Sequence, residues 1–220
     1  MNPFEKPKSV ESPTTIEVKL PPKHRELSMS GDAKDFTYII PISEALEDIL
    51  PMKESITLNE GEFLKKKEFH VTALGFGTKD MIKEQVEVVS KRGEDLVQKI
   101  NEILSQINFS FKVDLNSIKL IHNNNYDREA VIKKTGRAAF ESEYTITIDI
   151  EMPGMIEYYN RMREIGIDLG QPATHVTLCI KQNGEATGLG IAITDFDEQV
   201  QGNTFPYIES RPLSADVLKQ

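Results

Sequence analysis

The sequence predicts an α/β (α+β) fold built as two pseudo-symmetric lobes, each a small, mainly antiparallel sheet with helices outside, the two facing each other across a central cleft. Three observations carry that expectation. Short alternating or continuous apolar runs, strand-like in length, are separated by stretches with a helical apolar stripe. The order strand, helix, strand occurs twice. Both copies end in the same three residues, His-Val-Thr, set in an apolar strand: EFHVTALGF from Glu68 and THVTLCI from Thr174.

Composition limits what such a chain can be. With 220 residues and 39% hydrophobic content it can bury a sizeable core. No run approaches the roughly 18 to 20 apolar residues of a membrane span, and the N-terminus has no hydrophobic leader, so a soluble, unsecreted protein without membrane contact is expected. Cys179 is the only cysteine, which excludes an intrachain disulfide and a cysteine-rich metal site and suits a reducing compartment, with the cytoplasm as the expected address. A formal charge of -9 argues against a protein that coats nucleic-acid backbone, because such binding rests on many Lys and Arg contacts to phosphate. A small anionic ligand in a local site is still allowed.

Along the chain, residues 1–34 are dense in Pro, Ser, Thr and Lys and read as a flexible N-terminal arm. Within it IEVKL (Ile16 to Leu20) alternates and is able to add an edge strand, ended by Pro21 and Pro22. The two-lobed domain is expected over 35–197, with lobe 1 at about 35–121 and lobe 2 at about 140–197, and 198–220 as a C-terminal tail. FTYIIPI (Phe36 to Ile42) is strand-like, and SEALEDIL (Ser43 to Leu50) is a short helix with Ser43 as N-cap candidate and Pro51 beyond it. Lys79 to Ile107 carries a helical stripe at Ile82, Val86, Val89, Leu96, Ile100, Ile103, Leu104 and Ile107 and is expected as the longest helix, with Gly93 as a break point. FSFKVDLNSIKLI (Phe109 to Ile121) reads as one or two strands, and Asn123 to Glu129 as a turn-rich loop. YTITIDIEM (Tyr144 to Met152) alternates as a strand, and PGMIEYYNRMREIG (Pro153 to Gly166) is a helix with Pro at its start and Gly at its end. GLGIAI (Gly188 to Ile193) reads as a closing strand.

The two halves then align: Phe36 to Tyr144 is an offset of 108 residues and His70 to His175 one of 105. A duplication with small loop changes accounts for both, and what both copies keep is His followed two residues later by Thr. In a strand these alternate to one face, so His70 and Thr72 project together while Val71 and Ala73 project oppositely, and likewise His175 and Thr177 against Val176 and Leu178. Brought face to face, two imidazoles can act as general base and general acid near neutral pH. Two Thr hydroxyls beside them can donate to phosphoryl oxygens. The set suits phosphodiester chemistry without a metal. One such His alone is more often a satisfied structural residue. A polar pair repeated at matched positions is not what core packing asks for, since each copy must be desolvated and hydrogen-bonded.

Other residues read less sharply. Tyr38 and Tyr144, on the strands that open each repeat, are candidates for substrate binding by stacking on a base or donating to phosphate, with an equal case for plain core. Lys133, Lys134 and Arg137 read as a solvated charge run in a loop. His24 and His122 read as solvated. Cys179 shares the face of His175 and Thr177 by alternation, yet reads as a small core residue rather than a nucleophile. Gly75, Gly77, Gly188 and Gly190 read as bends. Glu141, Glu143, Asp149 and Glu151 read as solvent-facing or edge charges rather than a metal cluster.

Paired H-x-T motifs on apolar strands about a hundred residues apart resemble the two-histidine phosphoesterase superfamily, which includes the 2′-5′ RNA ligase-like and cyclic phosphodiesterase proteins. The resemblance runs from Asp35 to about Phe196, with YTITIDIEMPGMIEYYN before the second motif and GLGIAITDF after it also similar to that family. It implies His70 and His175 as the acid/base pair and Thr72 and Thr177 as phosphate-binding hydroxyls. It also implies a metal-independent phosphodiesterase that needs no cofactor and hydrolyses or transesterifies a nucleotide-type phosphodiester: a 2′,3′-cyclic phosphate, a 2′-5′ linkage, or a cyclic di- or oligonucleotide. The acidic composition favours a small nucleotide or RNA-end substrate over extended nucleic acid. The rival from another class is a non-catalytic module that sequesters a nucleotide or RNA end, although binding alone has no need of two His.

Overall fold

A computed structural model of the chain describes residues 15–19, 38–74, 78–93, 95–123, 144–170, 175–181 and 208–219. Their elements, in chain order, are β1 (Thr15–Val18), β2 (Tyr38–Pro41), α1 (Ser43–Ile49), β3 (Ser55–Leu58), β4 (Gly61–Lys65), β5 (His70–Leu74), α2 (Thr78–Lys91), α3 (Leu96–Gln106), β6 (Phe111–Asp114), β7 (Lys119–Asn123), β8 (Tyr144–Glu151), α4 (Pro153–Glu164), β9 (His175–Lys181) and β10 (Ile208–Pro212), with 3₁₀ turns at Leu115–Ser117 and Ala215–Lys219. Every strand pairing among the described residues is antiparallel, so the class is α+β. None of the described helices is long and apolar enough to cross a membrane.

An eight-stranded sheet runs β3, β4, β9, β8, and then divides. On the far edge of β8, β6 pairs near its C-terminal end (Lys112 with Glu151, Val113 with Ile150) and β7 along its N-terminal half (Lys119 with Thr147 through His122 with Tyr144). The division is local chemistry. The Asp114 carboxylate accepts from the Asn116 N–H at 2.9 Å, and the Ser117 hydroxyl donates to the Asp114 carbonyl at 2.7 Å, which closes a 3₁₀ turn between the strands. β1 extends the sheet beyond β6, and β10 extends it beyond β7. A second, two-stranded sheet pairs β2 with β5.

One face of these strands joins the helices in the core. Val71 and Ala73 of β5, Ile146, Ile148 and Ile150 of β8, and Val176 and Leu178 of β9 are buried together with Ile100 and Leu104 of α3 and Met155, Tyr158 and Met162 of α4. α4 starts with Pro153 at its first turn and presses so close that Gly154 faces the backbone of Asn108.

Several elements differ from the sequence expectation. The single long helix is two, because Gly93 takes φ +75° and Asp95 caps α3 by accepting from the Gln98 N–H at 3.1 Å. Ser43 does not cap α1. Its hydroxyl is spent on Phe69, as described below, and Ile42 occupies the cap position. The β3–β4 hairpin is not among the expected elements; Gly61 takes φ +124° after its turn. IEVKL does supply an edge strand, β1. The end of the expected tail is built into the sheet: β10 pairs with β7, the Leu213 N–H donates to Ile118 O at 2.8 Å, and Leu218 is fully buried. His24, Lys133, Lys134, Arg137, Glu141, Glu143, the four glycines read as bends and the expected strand GLGIAI lie outside the described residues.

Gly154→Ala should be destabilising although Ala is the better helix former. The added methyl meets the Asn108 carbonyl oxygen and the Ile107 Cγ2, and relieving that overlap is expected to cost about 1–3 kcal/mol. Urea unfolding checks it, and equal or higher stability in the variant would show that the α4 contact is not tight.

Candidate active site

His70 opens β5, and the residue before it is held from both sides. The Phe69 N–H donates to Ser43 Oγ at 2.7 Å, while the Phe69 carbonyl accepts from the Ile42 N–H at 2.9 Å and from the Ser43 hydroxyl at 3.3 Å. The start of α1 therefore fixes where the first motif enters its strand. His70 then pairs with Pro41 and Thr72 with Ile39. Val71 and Ala73 are fully buried while His70 and Thr72 are half-buried, the alternation expected of the motif.

The second motif sits on β9, where His175 pairs with Asp149 and Thr177 with Thr147. Val176 and Leu178 are fully buried, and His175 and Thr177 are half-buried. β5 and β9 lie against one another, and a charge on His70 bears on His175. The structure thus brings His70, Thr72, His175 and Thr177 onto two adjacent strands.

The same irregularity follows each motif. On β5 the register passes from Thr72 opposite Ile39 to Leu74 opposite Tyr38, which leaves Ala73 as an extra residue. On β9 it passes from Thr177 opposite Thr147 to Cys179 opposite Ile146, which leaves Leu178 extra. A bulge bends its strand, sharpens the twist and resets alternation. Cys179 accordingly leaves the face of His175 and Thr177, contrary to the unbroken alternation read from sequence. It pairs with Ile146 in the core, where burial pushes its thiol up to about 12. Ile180, opposite Thr145, takes the face instead.

The face of β8 that meets the second motif carries Thr145, Thr147 and Asp149. Thr145 and Thr147 are fully buried, and their hydroxyls make no hydrogen bond among the described residues, a cost of about 1–3 kcal/mol apiece in an ordinary core. Thr147 lies directly opposite Thr177, and sequence reading passed over it although it shares the parity of Asp149. Asp149 is more than an edge charge: its carboxylate accepts from Lys119 Nζ at 2.7 Å, and its N–H donates to Ser117 Oγ at 3.0 Å. Glu151 does behave as an edge charge, 3.9 Å from Lys112 Nζ.

His175 is held in its neutral form. Burial of the ring is the main cause, bringing its pKa down to about 4, with Lys119 and His70 acting the same way and Asp149 opposing them. Chemically, the set offers an imidazole able to take a proton, a second imidazole beside it, and hydroxyls able to bond the oxygens of an anion.

Tyr144 is not part of this arrangement. Alternation puts Tyr144 on the other face of β8 from Thr145 and Thr147. Its ring stacks on His122 with centroids 4.0 Å apart, under Lys181 Nζ at 4.6 Å. His122 is therefore packed rather than solvated, with Nδ1 3.8 Å from Glu209. The side chain of Tyr38 lies outside the described residues. Among the described residues no three His, Cys, Asp or Glu side chains are grouped as metal ligands would be. Comparison of the chain with family models, curated proteins and solved structures finds no match.

Neutral burial of His175 has a stability signature. An unfolded His binds a proton near ~6.5 and the folded one only near about 4, so wild-type stability should fall as pH drops through that interval, by up to about 3 kcal/mol. His175→Gln, which cannot titrate, lacks this loss. Urea unfolding of both proteins at pH 7 and pH 4.5 should show the variant gaining on wild type as pH falls, and a constant difference would mean that His175 is not buried neutral.

Proposed function

We propose that this protein is a phosphodiesterase of the two-histidine type, acting without a metal or cofactor on a small nucleotide-type phosphodiester in a reducing compartment such as the cytoplasm. The observation that carries the reading is the repeated unit: His, a buried residue, Thr and then a bulge, found on both β5 and β9, with the two strands adjacent. The partners repeat at the sequence offsets too. Ile39 and Pro41 on β2 stand to Thr147 and Asp149 on β8 at 108 residues, and the two His at 105. On this reading the chain has two pseudo-symmetric lobes, with β3 and β4 of the first added to the sheet of the second, and the H-x-T strands border the cleft between them.

In the proposed reaction one His takes the proton from an attacking water or 2′-hydroxyl while the other protonates the departing oxygen, and Thr72 and Thr177 hold the phosphoryl oxygens. The neutrality of His175 suits it to the base. A 2′,3′-cyclic phosphate, a 2′-5′ linkage or a cyclic di- or oligonucleotide fits this chemistry, and the net charge of -9 favours small substrates over long RNA.

The test is turnover of a panel of such phosphodiesters in EDTA. His70→Ala and His175→Ala should each lower kcat by about 10² to 10⁴ with the fold intact. Thr72→Val and Thr177→Val should lower the rate without changing the shape of the pH profile, because a hydroxyl does not titrate in that range. Wild-type turnover in either His variant, or complete loss in EDTA with recovery on adding a divalent ion, would overturn the reading. Ligand binding without turnover would leave a sequestering module in its place.

A further inference from the structure

We infer that Lys119 is a positioning residue of this site, which holds the Asp149 carboxylate and so weakens its pull on a proton at His175. The inference deepens the reading given under Proposed function and rests on it for its consequence in catalysis. Three adjacent strands carry the three residues: Lys119 on β7, Asp149 on β8 and His175 on β9. Asp149 lies directly across the ladder from His175, while Lys119 pairs with Thr147, two residues along β8 from Asp149 on the same face.

A carboxylate across a ladder from an imidazole ordinarily draws a proton onto that ring. Here the carboxylate is committed elsewhere. Lys119 Nζ sits 2.7 Å from Asp149 Oδ2, with the Lys side chain only 24% exposed. The Asp149 backbone is fixed as well, because its N–H donates to Ser117 Oγ at 3.0 Å where the pairing along β8 passes from β6 to β7. The charged or titratable groups that bear on His175 are Asp149 from β8, Lys119 from β7 and His70 from β5. Asp149 favours the protonated ring, and the other two oppose it. Removing the ammonium of Lys119 deletes one opponent and frees the carboxylate in a single step.

The experiment uses the full chain and two readouts. Histidine ring signals are titrated by NMR, with His175→Gln assigning the resonance, and the pH profile of kcat/KM is measured on a 2′,3′-cyclic nucleotide. In Lys119→Met the His175 midpoint should rise by about half a pH unit or more, and the acid limb of the rate profile should move with it. Asp149→Asn should move both the opposite way. Lys119→Arg keeps the cation and should behave as wild type, which guards against a folding defect in the Met variant. An unmoved His175 midpoint in Lys119→Met and in Asp149→Asn overturns the inference even if turnover is robust. Midpoints that move as stated in a protein that turns over none of the phosphodiesters leave the Lys119 assignment standing and remove the enzymatic reading.

Discussion

The hydrogen-bonding requirement of β8 organises the molecule. A central strand must pair its backbone on both edges, and β8 does so with one continuous neighbour, β9, and one interrupted neighbour made of β6 and β7. The interruption leaves Asp149 without a ladder partner on that side among the described residues. Ser117 supplies one from the 3₁₀ turn, so the side chain that closes the turn also completes the strand. From this follow the placement of Lys119, the fixing of Asp149 and the position of His175 across from it. With both edges of β8 covered, its apolar residues are left to bind α3 and α4 on one face, and the other face is left for Thr145, Thr147 and Asp149.

The H-x-T strands are anchored by different means that reach the same geometry. β9 gains its position from β8 along its whole length and from β4 along its second half. Among the described residues β5 has only β2 as a ladder partner, and Ser43 and Ile42 make up the difference by gripping Phe69 at the start of the motif. In both strands the apolar residue between His and Thr is fully buried, which pins the motif's face more firmly than hydrogen bonds alone, since a one-residue slip would bury the His and expose the Val.

Much of this was legible in the sequence because it depends on short-range pattern. The alternation in YTITIDIEM, the Pro and Gly that bracket α4, and the H-x-T repeat are all local, and each element stands where its pattern placed it. Two errors also had local causes. The helical stripe from Ile82 to Ile107 keeps its phase across Gly93, so periodicity favoured one long helix, while Gly93 itself marked the place where the structure divides it. Ser43 has the composition of a cap, but Ile42 holds the cap position, and the Ser43 oxygen that would accept from a helix N–H accepts from the Phe69 N–H instead.

The sequence by itself determined which faces are apolar, which residues form the repeated polar pair, and the antiparallel strand-and-helix class, because pleat and helical pitch convert residue order directly into faces. Only the tertiary structure decided the rest. The bulges at Ala73 and Leu178 are register events between strands distant in sequence, and the second sent Cys179 into the core. The pairing of β7 with β8 set Tyr144 opposite His122, on which it stacks. The meeting of Lys119, Asp149 and His175 required β7, β8 and β9 to pair in one particular order. The neutral state of His175 comes first from desolvation, with Lys119 of β7 and His70 of β5 acting the same way against Asp149 of β8, and desolvation is a property of what surrounds a residue rather than of the residue itself.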